Sequence, residues 1–503
     1  MSKLSIHAPT RPKTATRTSS RALTHEGAVG YSYEPKTELF LLAVSNMVGE
    51  DTFYEKAKSR DDRFVNLIHE VVKEDSDWVR RFVPYLRNTM QMRSASLVMA
   101  VEYVIAGGEN GRQVISDAIQ RLDEPGEVLG YYRSRVGRGV PQPIKRGISD
   151  AMQRIGSSRN VIRYKSRGGY SIKDVLRITH ARPRDSEQES LYKWTVSDGE
   201  EGGTDMTHNY ATLMSLPLDE RRALVSQSPE VLQDAGMTWE SVAGWLQGPM
   251  DAQVWEALIP HMGYMALIRN LRNFEQAGIS EEAKAKVVAR IKDEDEVARS
   301  RQFPFRFFSA YKHISDFDYA SALTKALELS TQNVPELSGR TLILSDDSGS
   351  MSGGYYSQKG TMTYAEQALL FGLTIAKKVS GKVDMYPYSS TLGRKVTRLE
   401  RPTLRIMESI PSNGGATYTN SCIDKAFSGH DRIIVLTDGQ AWDSDGVISH
   451  IKVPIYTFNV AGYGVSDRAS GQDNRYTFGG GLTDAAFKLI PLLEAGKDGQ
   501  WPF

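Results

Sequence analysis

The chain has 503 residues, with 62 Lys and Arg against 61 Asp and Glu and a net charge of +1. That balance gives the whole molecule no attraction for a polyanion, so such a partner must be met by a local concentration of charge. The single cysteine, Cys422, excludes an internal disulfide and a cysteine-based metal cluster and fits a reducing, cytoplasmic setting; no apolar run reaches the ~20 residues that cross a bilayer, so no membrane partner is expected. The first segment, 1–29, carries Lys3, Arg11, Lys13, Arg17 and Arg21 before its first acid, Glu26, and has no apolar core of the kind a secretory signal needs. It reads as a disordered basic tail.

From 30 to 335 the pattern is helical. Phe64, Leu67, Ile68, Val71 and Val72 recur at three- and four-residue spacing. Pro84, Gly107–Gly108 and Pro125–Gly126 punctuate the pattern. Successive amphipathic helices without strands predict an all-α, HEAT-like helical array. Within it, residues 133–184 hold 14 Lys and Arg against Asp150 and Asp174 alone, a concentration that suits phosphate. In "RYKSRGGYSIKDVLRITHARP", Arg163, Lys165 and Arg167 alternate up to a Gly–Gly break. Ser171 and Asp174 are spaced as a capping box. The helix they open turns Ile172, Val175, Leu176 and Thr179 inward and Lys173, Arg177 and His180 outward. Tyr164 and Tyr170 stand ready to stack on bases. The competing reading is a solvated basic helix.

A polar connection at 330–339 ends the helical region. Over 340–503 short β-branched runs, "RTLILS", "KVDMYPYS", "RIIVLT" and "VPIYTFNV", alternate with helical segments, which predicts a doubly wound, Rossmann-like α/β domain with a mainly parallel sheet. Ligands of such sheets bind beyond the carboxyl ends of the strands. There the sequence places Asp346, Ser348 and Ser350 after the first strand, Asp438 after "IIVLT", and Thr417 and Thr419 before the intervening helix. These hard oxygen donors favour Mg²⁺, with Mn²⁺ or Ca²⁺ as alternatives, over zinc. Asp347 is expected to be exposed, and Asp443 and Asp445 to be loop acids. The competing reading is that these residues shape turns and caps.

The order D-x-S-x-S, G-G-x-T, T-D-G resembles a von Willebrand factor A domain with a metal-ion-dependent adhesion site. That resemblance implies Asp346, Ser348, Ser350, Thr417 and Asp438 as metal ligands. The G-G-A-T of this chain leaves Thr419 as an alternative to Thr417, which the distance to Ala426 favours. The helical part resembles the TROVE module of the Ro autoantigen family, on "KSRGGYSIKDVLRITHARP", "IPHMGYMALIRNLRNF" and "SRQFPFRFFSAYKHI". An A domain following these is that family's own order. The resemblance implies a TROVE module over 30–335 forming a monomeric helical-repeat ring closed by the A domain. It implies a basic outer surface that binds small structured noncoding (Y-like) RNA through Arg163, Lys165, Arg167, Lys173 and His180. It further implies capture of the 3′ ends of misfolded RNAs and delivery to an exoribonuclease. "VGRGVPQPIKRGISDA" loosely resembles a neighbouring family motif and adds Arg138, Lys145 and Arg146. Arg269 and Arg272 are expected to bridge helices, and Arg301 and Arg306 are treated alike.

No phosphate-binding loop or nucleophile elbow is present, the nine histidines are scattered and no base accompanies Cys422. A noncatalytic RNA-binding scaffold is therefore the leading expectation. A metal-dependent adaptor gripping an acidic protein ligand is the alternative. A metal-dependent phosphodiesterase ranks last, because the site offers few carboxylates.

Overall fold

The computed structural model describes residues 22–23, 29–30, 35–45, 57–137, 139–164, 169–353, 362–412, 414–439, 441–443, 445–460, 475–478, 482, 484–496, 501 and 503. At the end of the expected tail, Ala22–Leu23 pairs with Val29–Gly30, one residue past its limit, as a short antiparallel ladder; the rest of 1–29 lies outside the described residues. The chain divides into two compact units, one built on Arg60–Val287 and one on Val288–Pro502 together with Lys13–Ser59.

The first unit is helical. Its helix α1 (Ala57–Glu74) buries the stripe read from the sequence: Phe64, Ile68 and Val71 are 0% exposed and Leu67 and Val72 5%, as residues sharing one helical face should be. Asp75 caps the next helix, α2 (Ser76–Asn88), by accepting from the Trp78 amide at 3.0 Å. Pro84 does not end this helix, as expected from sequence, but lies inside it. The missing N–H removes one intrahelical bond, and the fully buried Phe82, Val83 and Leu86 hold that turn in the core.

Two buried carboxylates tie the following helices together. Glu102, on α3 (Arg93–Ile105), is fully buried. It accepts from Tyr131 Oη at 2.6 Å and Arg135 Nε at 2.5 Å and is 2.7 Å from His69 Nε2. Burial pushes its carboxyl up, but the hydrogen bonds from His69, Arg135 and Tyr131 outweigh it and leave the group below the usual range. At the start of α5 (Glu124–Val136), the helix after α4 (Gly111–Ala118), Glu124 accepts from Arg87 and Arg93, both at 2.8 Å, and from the amides of Gln120 and Arg121. At Gly147, on α6 (Gln142–Ile155), an added Cβ would stand 2.5 Å from the Arg112 carbonyl oxygen and 2.7 Å from Ile115 Cβ. The bare backbone there lets α4 and α6 meet closely.

The second unit is built on a five-stranded, all-parallel sheet of β1 (Thr341–Asp346), β2 (Val383–Tyr388), β3 (Arg432–Thr437), β4 (Ile455–Asn459) and β5 (Arg475–Phe478), in the order β2-β1-β3-β4-β5. Every residue of β1, β3 and β4 is buried, as central parallel strands covered on both faces require. Four of these strands were legible in the sequence. The fifth, β5, is a four-residue edge strand directly ahead of a glycine run, too short to show a period.

The composition changes at 336–340, yet the compact unit begins at Val288 and takes in the helices before the sheet. Side chains explain why. Phe303 and Phe305, at the start of α7 (Pro304–Tyr311), join Phe371 and Phe487 in an aromatic cluster. Phe303 stacks on Phe487 with centroids 5.4 Å apart, and Phe371 on Phe487 at 4.4 Å. Lys312 pairs with Glu366 at 2.6 Å and Glu328 with Lys377 at 2.6 Å.

Gly147→Ala is expected to lower stability by about 1–3 kcal/mol, because its neighbours are backbone and a β-branched stem that cannot swing away. Gly244→Ala, within the helix Trp239–Leu246 and with nothing within 4 Å of the added Cβ, is expected instead to raise it by up to about 1 kcal/mol. Urea unfolding followed by circular dichroism measures both.

Candidate functional site

The basic segment folds onto neighbouring helices of the first unit. Its central helix, α8 (Ile172–Thr179), opens with the capping box read from the sequence: Ser171 Oγ accepts from the Asp174 amide at 3.1 Å, and Asp174 accepts from the Ser171 amide at 2.9 Å. Ile172, Val175, Leu176 and Thr179 are buried. Arg177 is exposed, and so is His180, which ends the helix in the left-handed region at φ 50°. The chain reaches this helix across Gly126, where a Cβ would come within 2.5 Å of the Tyr170 carbonyl oxygen. Arg133 donates to Tyr170 Oη at 2.9 Å with its guanidinium 5.2 Å from the ring centre. On α6, which packs against α8, Lys145 is half-buried and Arg146 exposed. A groove of about 410 Å³ opens beside Arg177, lined by Leu176, Pro183, Tyr192 and Val196 among others.

Several basic residues have other employment. Lys173 pairs with Asp198, an acid 25 positions along that the local reading missed; it is not the free cation that helix periodicity suggested. Arg135 is held by Glu102 and Arg154 by the carbonyls of Ser116 and Ile119 at 2.8 and 2.7 Å. Arg184 donates to the Gln153 carbonyl at 3.0 Å and pairs with Asp185. Tyr164 is buried, with the guanidiniums of Arg121 and of the exposed Arg163 5.3 and 5.4 Å from its ring centre, so base stacking falls to the half-buried Tyr170. Arg138, Lys165 and Arg167 lie outside the described residues. Arg269 and Arg272, expected to bridge helices, are instead exposed on α9 (Tyr264–Ala277) and form no ion pair among the described residues. Arg301 is exposed too, in the left-handed region at φ 52°.

In the second unit the carboxyl ends of β1, β2 and β3 bring the oxygen donors to one edge of the sheet. Asp346 closes β1 at 0% exposure. Its Oδ1 accepts from the Ser348 amide at 2.9 Å and its Oδ2 from the Thr437 hydroxyl at 2.6 Å. Ser348 Oγ is 3.3 Å from Ser350 Oγ; Ser348 is buried and Ser350 exposed. The Gly349 amide donates to the Gly415 carbonyl at 3.1 Å, joining the first loop to the one that carries Thr417. Thr417 and Asp438 are 3% and 1% exposed. Thr419, the alternative donor at the start of α10 (Thr419–Ala426), has its hydroxyl 3.1 Å from Tyr388 Oη. Burial, with the nearby charge of Asp438, pushes the Asp346 carboxyl up to about 6.

Asp347 was expected to be exposed. It is 9% exposed, because its amide donates to the Tyr388 carbonyl at 2.9 Å and draws it against the end of β2. Asp443 is structural in the way a loop acid can be: it accepts from the Ser421 amide at 2.6 Å. Cys422 is buried and its thiol is pushed up to about 11 by burial, as suits a packed residue. Among the described residues no three His, Cys, Asp or Glu side chains converge, so this site rests on hydroxyls as much as on carboxylates. Two carboxylates and three hydroxyls fit a hard divalent cation. Thr437 was not picked out from the sequence, although it immediately precedes Asp438 in the T-D-G motif.

Residues 234–422 match the TROVE domain model, a span that runs from the later helices of the first unit into the sheet and does not include the basic segment. The RNA-binding protein RO60 of Deinococcus radiodurans is 22% identical over 369 residues, 68% of this chain and 68% of that protein. Telomerase protein component 1 of Mus musculus is 41% identical over 83 residues, and that of Rattus norvegicus 40% over 100. Those stretches are 16% and 19% of this chain and only 3% and 4% of the length of the two relatives. The crystal structure of the Deinococcus radiodurans RO (RSR) protein superposes with a TM-score of 0.70 at 17% identity, covering 90% of this chain and 98% of that one. The chain thus carries a TROVE-domain match over 234–422, is similar in sequence to an RNA-binding protein RO60, and shares the fold of a solved Ro protein.

Proposed function

We propose that this chain is a noncatalytic, cytoplasmic RNA-binding scaffold of the Ro ribonucleoprotein type, with a HEAT-like helical module. Its ligands are small structured, Y-like noncoding RNAs and the 3′ ends of misfolded RNAs, which it holds or passes to an exoribonuclease. The observation that carries this reading is the exposure of Arg177 and His180 on α8, a helix that packs against α5 and α6, which carry the exposed Arg133, bonded to Tyr170, and the exposed Arg146. The name of the Deinococcus radiodurans relative, an RNA-binding protein, supports it. Exposed guanidiniums contact phosphates, and a tyrosine with a tethered arginine offers a stacking platform for an unpaired base.

A labelled stem-loop RNA is expected to shift in a gel without being cleaved, with affinity falling steeply as salt rises. Arg177→Ala is expected to weaken binding and reduce the slope of log affinity against log salt by about 1. Lys173→Ala is expected to do less, because Asp198 already neutralises that ammonium. The double reversal Lys165→Glu, Arg167→Glu should abolish the shift, and Asp346→Asn should leave it nearly intact. A slope that ignores Arg177 would count against this surface.

A second reading is favoured by the oxygen donors gathered at the strand ends. The second unit is then of the von Willebrand factor A type, and Asp346, Ser348, Ser350, Thr417 and Asp438 hold Mg²⁺, or Mn²⁺ or Ca²⁺, through which the unit grips an acidic protein partner. The cation would supply a Lewis-acidic position for one further oxygen ligand. Mg²⁺ at a hundredfold excess over its Kd is expected to stabilise the protein by about 2.7 kcal/mol. Asp346→Asn should lose that increment. In cation-free buffer the same variant should exceed the parent by on the order of 1 kcal/mol, since it removes one of two neighbouring buried negative charges. Thermal unfolding with Mg²⁺ and with chelator separates these outcomes.

A further inference from the structure

Large apolar side chains exposed among the described residues include Trp442 at 79%, Tyr418 at 39% and Val447 at 40%. Trp442 and Tyr418 belong to the loops that carry the oxygen donors, and Val447 lies just beyond them. Tyr418 adjoins Thr417, and Trp442 follows Asp438 by four positions. Their backbones are fixed: the Tyr418 amide donates to the Ser389 carbonyl at 3.0 Å and the Trp442 amide to the Thr417 carbonyl at 2.9 Å. Asp443 accepts from the Ser421 amide at 2.6 Å, and Asn420 Nδ2 donates to the Asp443 carbonyl at 3.3 Å. An indole left in water on a backbone tied at both ends is a preorganised contact, which loses little freedom when covered. The loops that carry the donors, 346–353, 414–420 and 438–443, contain Asp346, Asp347, Asp438 and Asp443 and not one Lys or Arg, while the loop that leaves β2 carries Arg394 and Lys395, the latter paired with Asp384. Such surroundings repel a polyanion and accept a single carboxylate delivered to a cation, provided that what flanks it is apolar.

We propose that Trp442 and Tyr418 form an aromatic rim that selects the residue next to the carboxylate. The partner is then a protein loop presenting Asp or Glu beside a large apolar side chain. This inference rests on the ion-site reading of Asp346, Ser348, Ser350, Thr417 and Asp438 and adds to it what the partner must carry besides its acid.

The test uses the full chain labelled with ¹⁵N-tryptophan, whose seven indoles give separate signals, that of Trp442 being assigned with Trp442→Phe. The probes are N-acetyl-Asp-Phe-amide, N-acetyl-Asp-Gly-amide and N-acetyl-Asn-Phe-amide, each with Mg²⁺ and with chelator. The Asp-Phe probe is expected to move the Trp442 signal in Mg²⁺ and to bind about tenfold more tightly than Asp-Gly, the gain of one well-packed aromatic contact. Asn-Phe, or any probe in chelator, should leave the signal in place. In Trp442→Ala, with folding checked by circular dichroism and binding read by calorimetry, the preference for Phe over Gly should vanish. Equal affinity for the two Asp probes in the parent, or a preference that survives Trp442→Ala, overturns the rim. A calorimetric Mg²⁺ titration keeps the two levels apart. Uptake of Mg²⁺ without discrimination between the probes overturns the rim alone, whereas no uptake overturns the ion site and the rim with it.

Discussion

A carboxylate buried in protein must find positive charge or hydrogen-bond donors, and the two units meet that demand differently. In the helical unit Glu102 and Glu124 are fully buried and are held by Arg135, Arg87 and Arg93 across three helices. Removing one partner from such a set leaves an uncompensated charge, a loss of about 3–5 kcal/mol, so these arginines belong to the scaffold. What remains for a ligand is the remainder of the basic segment: Arg146, Arg159, Arg163, Arg177 and Arg182 stay exposed. At the strand ends of the second unit, by contrast, the recorded donors to Asp346 are a backbone amide and a threonine hydroxyl, both neutral. Its raised carboxyl records that shortfall, where the arginines of the helical unit leave none around Glu102.

How far each feature could be read from sequence follows from how local its cause is. The capping box at Ser171 and Asp174, the apolar stripes of α1 and α8, and four of the five strands depend on residues within a turn or a strand of each other. Fates decided through space were not legible. Lys173 and Arg177 lie four apart on one helix, yet one is matched by Asp198 and the other is not. Arg135 and Glu102 are separated by 33 positions, and nothing near Arg135 in sequence marks it as a core residue. The burial of Asp347 has the same origin, a hydrogen bond to the neighbouring strand. That Asp346, Ser348 and Asp438 lie at strand exits was legible, because parallel strands put their exits on one edge and each exit carries its own short motif.

The stretch at 301–308 shows why a change of composition and the edge of a folded unit need not coincide. Its phenylalanines look like the apolar face of one more helix in an array. Phe303 and Phe305 pack instead on Phe371 and Phe487, and the ion pairs of Lys312 and Glu328 reinforce the attachment. Sequence character reports which secondary structure forms; the partner of an apolar face is chosen by shape, and an aromatic cluster fits a sheet-covering helix as well as it fits a helical repeat. The TROVE match, which crosses from helices into the sheet at 234–422, falls across the same attachment.

On the RNA-binding reading, the two kinds of exposed arginine should contribute differently. Arg177 forms no ion pair among the described residues, so it can follow a phosphate but cannot enforce the angles that base recognition requires. Arg133 is tethered to Tyr170 by a hydrogen bond at 2.9 Å, and Gly126 fixes the backbone of that tyrosine against α5. A surface with few fixed donors and many free charges reads the shape of a folded RNA more than its sequence. Discrimination among RNAs then depends on whether an unpaired base can reach Tyr170 while the duplex phosphates lie against α8, which makes it a constraint on where a stem is interrupted rather than on which bases it contains.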